Sequence, residues 1–307
     1  MRLSKALEGY WLDKEFELSP NTVLRYRYIH NRLIAFLGDV ELDEIDSQDI
    51  KRFIRHLRTE TSLSKRTIYD AWHVMSAFWS WAEKELGIEH VIRGKVDKPK
   101  FTKRTIEPLT MGEVKSLVQS TTSTRQWTTR TGKKVKAKRP TAMRDKAIIL
   151  VMVDCGIRVT ELCDLQVKDY HPKRGRLFIN HGKGDKERPL PLGTRGRKAL
   201  WRYLSNRSDA TPAAPLFAAK SGSILDRNNV RHMLNRVAKH AGVPNVHPHR
   251  LRHTFAIEFL RNGGNPIELK ELLGHETLEM VTVYVQLAEV DIEKAQRKAS
   301  PADNWKL

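Results

Sequence analysis

The stretch HPHRLRHTF at residues 247–255 sets His249, Arg250, Arg252 and His253 at the opening of an amphipathic helical pattern. On a helix, His249 lies three residues before Arg252 and four before His253, so the three share a face while Arg250 points elsewhere. A guanidinium beside an imidazole can hold two oxygens of a phosphate, the guanidinium in a fixed fork geometry. The same residues admit a plainer reading, with His253 packed in a core and Arg252 paired to a carboxylate. Three more stretches bear on that choice. CGIRVTELCDL at 155–165 breaks a buried-looking helix at Gly156 and sets Arg158 just beyond it. Glu161, three residues on, could orient that arginine or a histidine. HGKGDKER at 181–188 places Lys183 in a turn whose glycines let a loop approach a backbone closely. LLGHETLEMVTVYVQ at 272–286 ends one helix at Gly274, exposes His275 and carries Tyr284 on another helix. A tyrosine hydroxyl, with an ordinary pKa near ~10, is a poor nucleophile at neutral pH unless cations surround it. Tyr284 follows such a set of cations, although a buried core aromatic is the commoner fate of a tyrosine.

These groups need elements to hold them. The first ninety residues read as helices only. Ser19-Pro20 is a helix start, a serine cap followed by proline at the first helical position, and Gly38 supplies a stop. Further helices begin near Ser47 and Ser64, the last carrying the stripe Ile68, Trp72, Met75, Phe78, Trp79 and Ala82, which reads as core packing. The opposite faces hold Arg25, Arg27, Arg32, Lys51, Arg55, Arg58, Lys65 and Arg66. Each alone is an ordinary solvated charge; together they suggest a DNA-facing surface. Residues 91–107 lose the helical period and gather Lys95, Lys98, Lys100, Lys103 and Arg104, as an extended basic linker would, either lying along phosphates or merely soluble. A second domain opens near Pro108. Its insertion STRQWTTRTGKKVKAKRP, residues 123–140, has seven basic residues and no acid, and reads as a flexible loop that could clamp DNA or be disordered. Helix returns over Ala142–Leu165. Period-two patterns follow at Leu165–Tyr170, Arg176–Asn180 and Arg188–Leu192, the last two flanking the glycine-rich HGKGDKE as a hairpin would. Helices are expected to the end, apart from loops at Pro212–Pro215 and Val243–Pro248. The expected division is a helical domain over 1–90, a linker over 91–107, a catalytic domain over 108–289 and a tail over 290–307.

The composition narrows the class of function. In 307 residues, 55 lysines and arginines face 36 acids, a net charge of +19 that favours a polyanion, nucleic acid first and an anionic membrane surface second. The longest apolar run, Ala147–Val153, is too short to span a bilayer, and MRLSKALEGYW has no signal-peptide core. Cys155 and Cys163 are the only cysteines, so a disulfide framework is not expected and a reducing cytoplasm fits. No metal-ligand spacing of the CxxC or HExxH kind occurs.

GIRVTEL, GKGDKER, HRLRH, LLGH and Tyr284, in this order and at these spacings, resemble the tyrosine recombinase (phage integrase) family, and SPNTVLRY resembles the opening of that family's helical core-binding domain. The resemblance covers nearly the whole chain and is to the branch of Xer-type and simple phage or transposon integrases. It implies a mainly α fold with a small antiparallel β-sheet in the catalytic domain, the two domains closing on DNA as a C-shaped clamp. It implies a site-specific recombinase in which Tyr284 attacks a phosphodiester, leaving a 3′-phosphotyrosyl link and a free 5′-hydroxyl. Arg158 and Arg252 would grip the non-bridging oxygens, where fixed cations best stabilise added negative charge. Lys183 would protonate the leaving oxygen, which a guanidinium does poorly. His249 would be the acid/base imidazole, His275 a second donor to the phosphate, and Glu161 and His253 supporting residues. Two arginines, a lysine and two histidines would replace a divalent metal, and no cofactor is implied because the phosphotyrosyl bond stores the energy of the cleaved one. The partners implied are a duplex recombination site and, on it, a tetramer built of two dimers from monomers in solution. An accessory protein could join them, and two rounds of strand exchange would pass through a Holliday junction. The tail after Tyr284 would dock on a neighbouring protomer, or else pack on its own domain. Two departures stand out: Gln286 where many members have histidine or threonine, and the long insertion at 123–140. Three other readings are a type IB topoisomerase-like relaxing enzyme, a non-catalytic DNA-binding regulator and an RNA-binding protein, the last without any RNP-like motif.

Overall fold

The computed structural model describes the chain except residues 103–106, 123–126, 129–130, 133, 136, 138, 180–186, 276, 289–295, 297–299, 302–304 and 306–307. It divides into two units, Met1–Arg104 and Thr105–Leu307.

Short polar side chains start the helices of the first unit. Ser19 Oγ accepts from Thr22 N at 3.3 Å and opens α2 (Pro20–Leu37). Asp46 and Asp49 form a reciprocal capping box at α3 (Ser47–Thr59), and Ser64 Oγ accepts from Thr67 N at 3.1 Å at α4 (Lys65–Leu86). Ahead of them runs α1 (Leu3–Lys14), which lacks a side-chain cap and is held by burying Leu3, Ala6, Leu7, Tyr10 and Trp11. The stripe expected to be core is core: Ile68, Met75, Phe78, Trp79 and Ala82 are buried, although Trp72 is only partly so. Val91, Ile92 and Val96 are buried in this same core, and Trp72 Nε1 donates to the Val96 carbonyl at 3.2 Å, so apolar burial holds the chain to the first unit beyond residue 90.

The second unit is built around the apolar helix α6 (Ala142–Cys155), against which α8 (Thr194–Leu204) and α10 (Pro248–Arg261) pack. α5 (Met111–Ser120) precedes it. Between them the described part of the insertion pairs β1 (Trp127–Thr128) with β2 (Lys134–Val135), where an irregular loop was expected. After α6 come α7 (Val159–Asp164) and the antiparallel sheet β3–β4–β5 (Tyr170–His171, Arg176–Ile179, Arg188–Pro191). Its register sets Leu177 opposite Leu190, both fully buried. The hairpin expectation holds for the two longer strands. Leu165–Tyr170 is not a strand: Val167–Asp169 form a 3-10 turn, and only Tyr170 of that run enters the sheet. The region between α8 and α9 (Arg227–Ala241) is turns and bridges over a longer span than the expected Pro212–Pro215 loop. α11 (Pro266–Leu273) and α12 (Glu279–Ala288) close the described fold, and α12 packs on α10 through Val281, Tyr284 and Ala288.

Candidate active site

Two glycines shape the site. Gly156 ends α6 in the left-handed region, φ 61°, and a Cβ there would meet the Phe255 ring at 2.3 Å. Only glycine lets α6 and α10 approach so closely, and the turn aims the Gly156 carbonyl at Arg252, whose Nη1 donates to it at 2.7 Å. Gly274 ends α11 in the same way, φ 62°, and accepts from Arg158 Nη2 at 2.8 Å.

Arg158 stands at the start of α7. It is pinned by Glu161, whose carboxylate accepts from Arg158 Nη1 at 2.8 Å and from the Arg158 backbone N–H at 2.9 Å. Glu161 thus orients the arginine, the first of the two possibilities open from sequence. It also takes a bidentate pair from Arg188, at 3.0 and 2.9 Å. Burial alone would raise the Glu161 carboxyl, but the hydrogen bonds and charge of Arg188, then of Arg158, carry it below the usual carboxylate range. Arg188 in turn donates Nε to the Leu272 carbonyl at 3.1 Å, joining β5 to α11. It was not singled out from the sequence, where it is merely the last letter of HGKGDKER; its partner lies 27 residues away.

Arg252 is buried, 5% exposed, and its charge faces no carboxylate in hydrogen-bond range among the described residues. Its Nη2 donates to the Leu273 carbonyl at 2.8 Å and to His275 Nε2 at 2.9 Å. The plainer sequence reading, a carboxylate-paired Arg252, does not hold. Burial, followed by the positive charge of Arg158, lowers its pKa to about 10, so it stays protonated at neutral pH. Because guanidinium can only donate, His275 Nε2 must accept, and its proton sits on Nδ1. That Nδ1 is buried and has no hydrogen-bond partner among the described residues. Burial and the charges of Arg252, Arg158 and Arg188 lower the His275 pKa to about 4, keeping the ring neutral.

Tyr284, on α12, is 5% exposed. Its Oη lies 2.8 Å from His253 Nδ1, and its ring lies nearly parallel to that of His275, centroids 6.3 Å apart. Burial raises the hydroxyl pKa, and Arg252 and Arg158 pull the other way. His249 is exposed on the same face of α10, its ring 6.4 Å from that of His253, and burial of part of the ring together with Arg252 and Arg158 lowers its pKa. Arg250 points away, as expected, and ties down the Glu107 and Pro244 carbonyls at 3.0 and 2.7 Å. Arg158, Glu161, Arg252, His253, His275 and Tyr284 therefore form one connected cluster, with His249 at its edge. Lys183 lies outside the described residues.

The expected DNA-facing residues of the first unit are more mixed. Arg25 and Arg66 share Asp70, at 3.7 and 3.0 Å, and Arg27 pairs with Glu15 at 3.1 Å. Lys98 sits over the Tyr69 and Trp72 rings. Lys51, Arg55, Lys65 and Lys100 are exposed and make no ion pair among the described residues. Lys65 and Lys100 join Arg58 around a hollow of about 310 Å³. Lys103 and Arg104 lie outside the described residues.

Residues 107–290 match the phage integrase family, and residues 14–88 match the phage integrase N-terminal SAM-like domain. The chain is 31% identical over 295 residues to tyrosine recombinase XerC of Corynebacterium glutamicum, covering 94% of this chain and 89% of that protein. It is 29% identical over 290 residues to tyrosine recombinase XerA of Thermococcus kodakarensis, covering 94% and 92%. Among solved structures it is similar in fold to the Tn1549 transposon integrase in complex with a circular intermediate DNA, with TM-score 0.75, 20% identity and coverage of 92% and 94%. Since the family match takes in more than half of the chain and every described residue of the cluster, the chain belongs to the phage integrase, or tyrosine recombinase, family.

Proposed function

We propose that the chain is a site-specific DNA recombinase that breaks and rejoins strands through Tyr284. The observation that carries this reading is the placing of one tyrosine hydroxyl beside two fixed guanidiniums and two neutral imidazoles, in a site with surplus positive charge. The relatives named above are tyrosine recombinases, and the solved neighbours include complexes with DNA. In this reading Tyr284 Oη attacks the scissile phosphorus and the 5′-oxygen leaves, with its proton supplied by Lys183. Arg158 and Arg252 bind the non-bridging oxygens, and the unpartnered Nδ1–H of His275 gives a further donor. These donors are already fixed by backbone carbonyls and Glu161, so little reorganisation is needed as charge develops on the phosphorane. His249, at the rim, is an acid/base group of the same site. Glu161 acts through Arg158 as a positioning residue.

The first unit supplies affinity through Arg25, Arg27, Lys51, Arg55, Lys65 and Arg66, joined by Lys98, Lys100, Lys103 and Arg104. The substrate is duplex DNA, the working assembly a tetramer of two dimers on it, and the compartment the cytoplasm. Among the described residues no helix is long and apolar enough to cross a membrane. The domain division proposed is 1–90, 91–107, 108–289 and 290–307, the first residues of the linker packing on the first unit, with the tail seating on a neighbouring protomer. The test is strand exchange between two labelled duplexes bearing the cleaved site. Recombinant strands and a Holliday junction support the reading. Relaxation of supercoils by a monomer without exchange would replace it with a topoisomerase. Normal exchange by a chain lacking residues 290–307 would remove the trans-seated tail.

A further inference from the structure

We propose that Arg188 is a positioning residue for Arg158, holding together the two groups that aim its guanidinium; the inference rests on the recombinase reading and adds a member to its site. Arg158 is gripped from two sides. Glu161 on α7 accepts from its Nη1 and its backbone N–H, and the Gly274 carbonyl at the end of α11 accepts from its Nη2 at 2.8 Å. These two anchors belong to segments more than a hundred residues apart, since Arg158 and Gly274 are separated by 116 positions. Arg188, at the start of β5, binds both segments. Its Nη1 and Nη2 donate to the two oxygens of Glu161 at 3.0 and 2.9 Å, and its Nε donates to the Leu272 carbonyl of α11 at 3.1 Å. Its guanidinium also lies close against Gly274, where a Cβ would meet Nη1 at 3.0 Å.

The contacts close a ring: Arg158 to Glu161, Glu161 to Arg188, Arg188 to α11, and α11 back to Arg158. Within it the exposures divide the roles. The Arg158 side chain is 36% exposed and faces out, whereas those of Arg188 and Glu161 are 17% and 7% exposed. Arg188 therefore turns its fork inward, and Arg158 is left to meet a phosphate. Only a planar guanidinium serves a carboxylate and a carbonyl at once in fixed geometry; an ammonium does not. A donor held in this way needs little reorganisation as charge develops in front of it. Arg188 also pairs with Ile179 across the hairpin whose intervening sequence carries Lys183, so a second route, through the acid, has to be separated by experiment.

The test is a double-mutant cycle in single-turnover cleavage, followed as covalent adduct at saturating protein. Arg188→Gln should cleave ~10–10²-fold more slowly than the wild type with DNA affinity kept, because a small misplacement of a binding group costs that much. Arg158→Ala should lose ~10²–10³-fold. Adding Arg188→Gln to Arg158→Ala should cost less than a further ~2-fold, because the group it positions is gone. Arg188→Lys keeps the charge beside Glu161 without the fork. It should show the same pattern at the wild-type melting temperature, and it decides the question if Arg188→Gln does not fold. Losses that multiply in both backgrounds would make Arg188 a general support of the fold and overturn the proposal, as would wild-type rates in both variants. A loss that vanishes when sulfur replaces the scissile 5′-oxygen, a leaving group that needs no acid, would move the effect to Lys183 and also overturn it. A wild type that forms no adduct on any duplex sinks the recombinase reading and this inference with it. Multiplying losses in a wild type that does cleave sink the inference alone.

Discussion

The chain carries two sets of cations that look alike as letters and differ as physics. Those on the first unit are exposed and either solvated or loosely paired at the surface, as Arg25, Arg27 and Arg66 are with Asp70 and Glu15. Each such pair is worth ~0–1 kcal/mol and weakens with salt. Those of the second unit are locked. Arg252 is buried on two backbone carbonyls, and Arg158 and Arg188 converge on one buried carboxylate. Under the proposed function the difference is a division of labour: exposed charge outside would set affinity for a polyanion, and fixed charge inside would set the rate at one phosphate.

Breaking the inner set should give the largest effects. Arg252→Lys removes the fork that reaches both carbonyls and His275. Cleavage should fall ~10²–10³-fold with DNA affinity nearly kept, a split read by comparing rates at saturation with binding curves. Glu161→Ala leaves two arginines around a vacated carboxylate site, and the unit should lose ~3–5 kcal/mol of stability in chemical unfolding. A pH series sharpens this prediction. The Glu161 carboxyl is depressed on folding, so its contribution is fully present above the ordinary value of 4.5 and is lost as pH falls through the folded value. The stability gap between wild type and Glu161→Gln should therefore be flat at neutral pH and close in acid.

Smaller effects come from the outer set. Lys51→Ala and Lys65→Ala should each weaken DNA binding about equally across sequences. Each should reduce the slope of log affinity against log salt by ~0.9, leaving the cleavage rate of saturated complexes unchanged. A change in cleavage rate would break the division of labour. The first unit also has its own acid sensitivity. His30 is buried among the Tyr10, Trp11 and Phe78 rings, and burial lowers its pKa from 6.5 to about 4. Between those values the unfolded chain binds the proton first, so stability should fall as pH drops from 6.5 towards 4, and His30→Phe should flatten that part of the curve.

What could be read from the sequence follows range of interaction. Helices with caps were legible because a serine and its backbone partner are three residues apart, as at Ser19 and Ser64; the start expected near Ser47 is capped one residue earlier, by Asp46. α1 has no side-chain cap, and its buried face is defined by helices distant in sequence. Val91, Ile92 and Val96 sit in a basic, aperiodic stretch, so only the folded core shows them to be interior. At Leu165–Tyr170 the alternation of apolar residues came from a 3-10 turn rather than from a pleat. The cluster around Tyr284 was legible as residue types at fixed spacings. Its wiring was not. The Glu161–Arg188 pair, the Gly156 carbonyl on Arg252 and the His253–Tyr284 contact each join segments that only the fold brings together.

The most direct measurement is covalent trapping. The protein is mixed with labelled, nicked duplexes tiled across the DNA flanking its gene, denatured in SDS, and any adduct is digested and mapped by mass. The account predicts one duplex that yields an adduct, its modified peptide carrying a nucleotide on Tyr284, and no adduct with Tyr284→Phe. An adduct that persists in Tyr284→Phe, or tight binding across the tiles with no adduct anywhere, would contradict it.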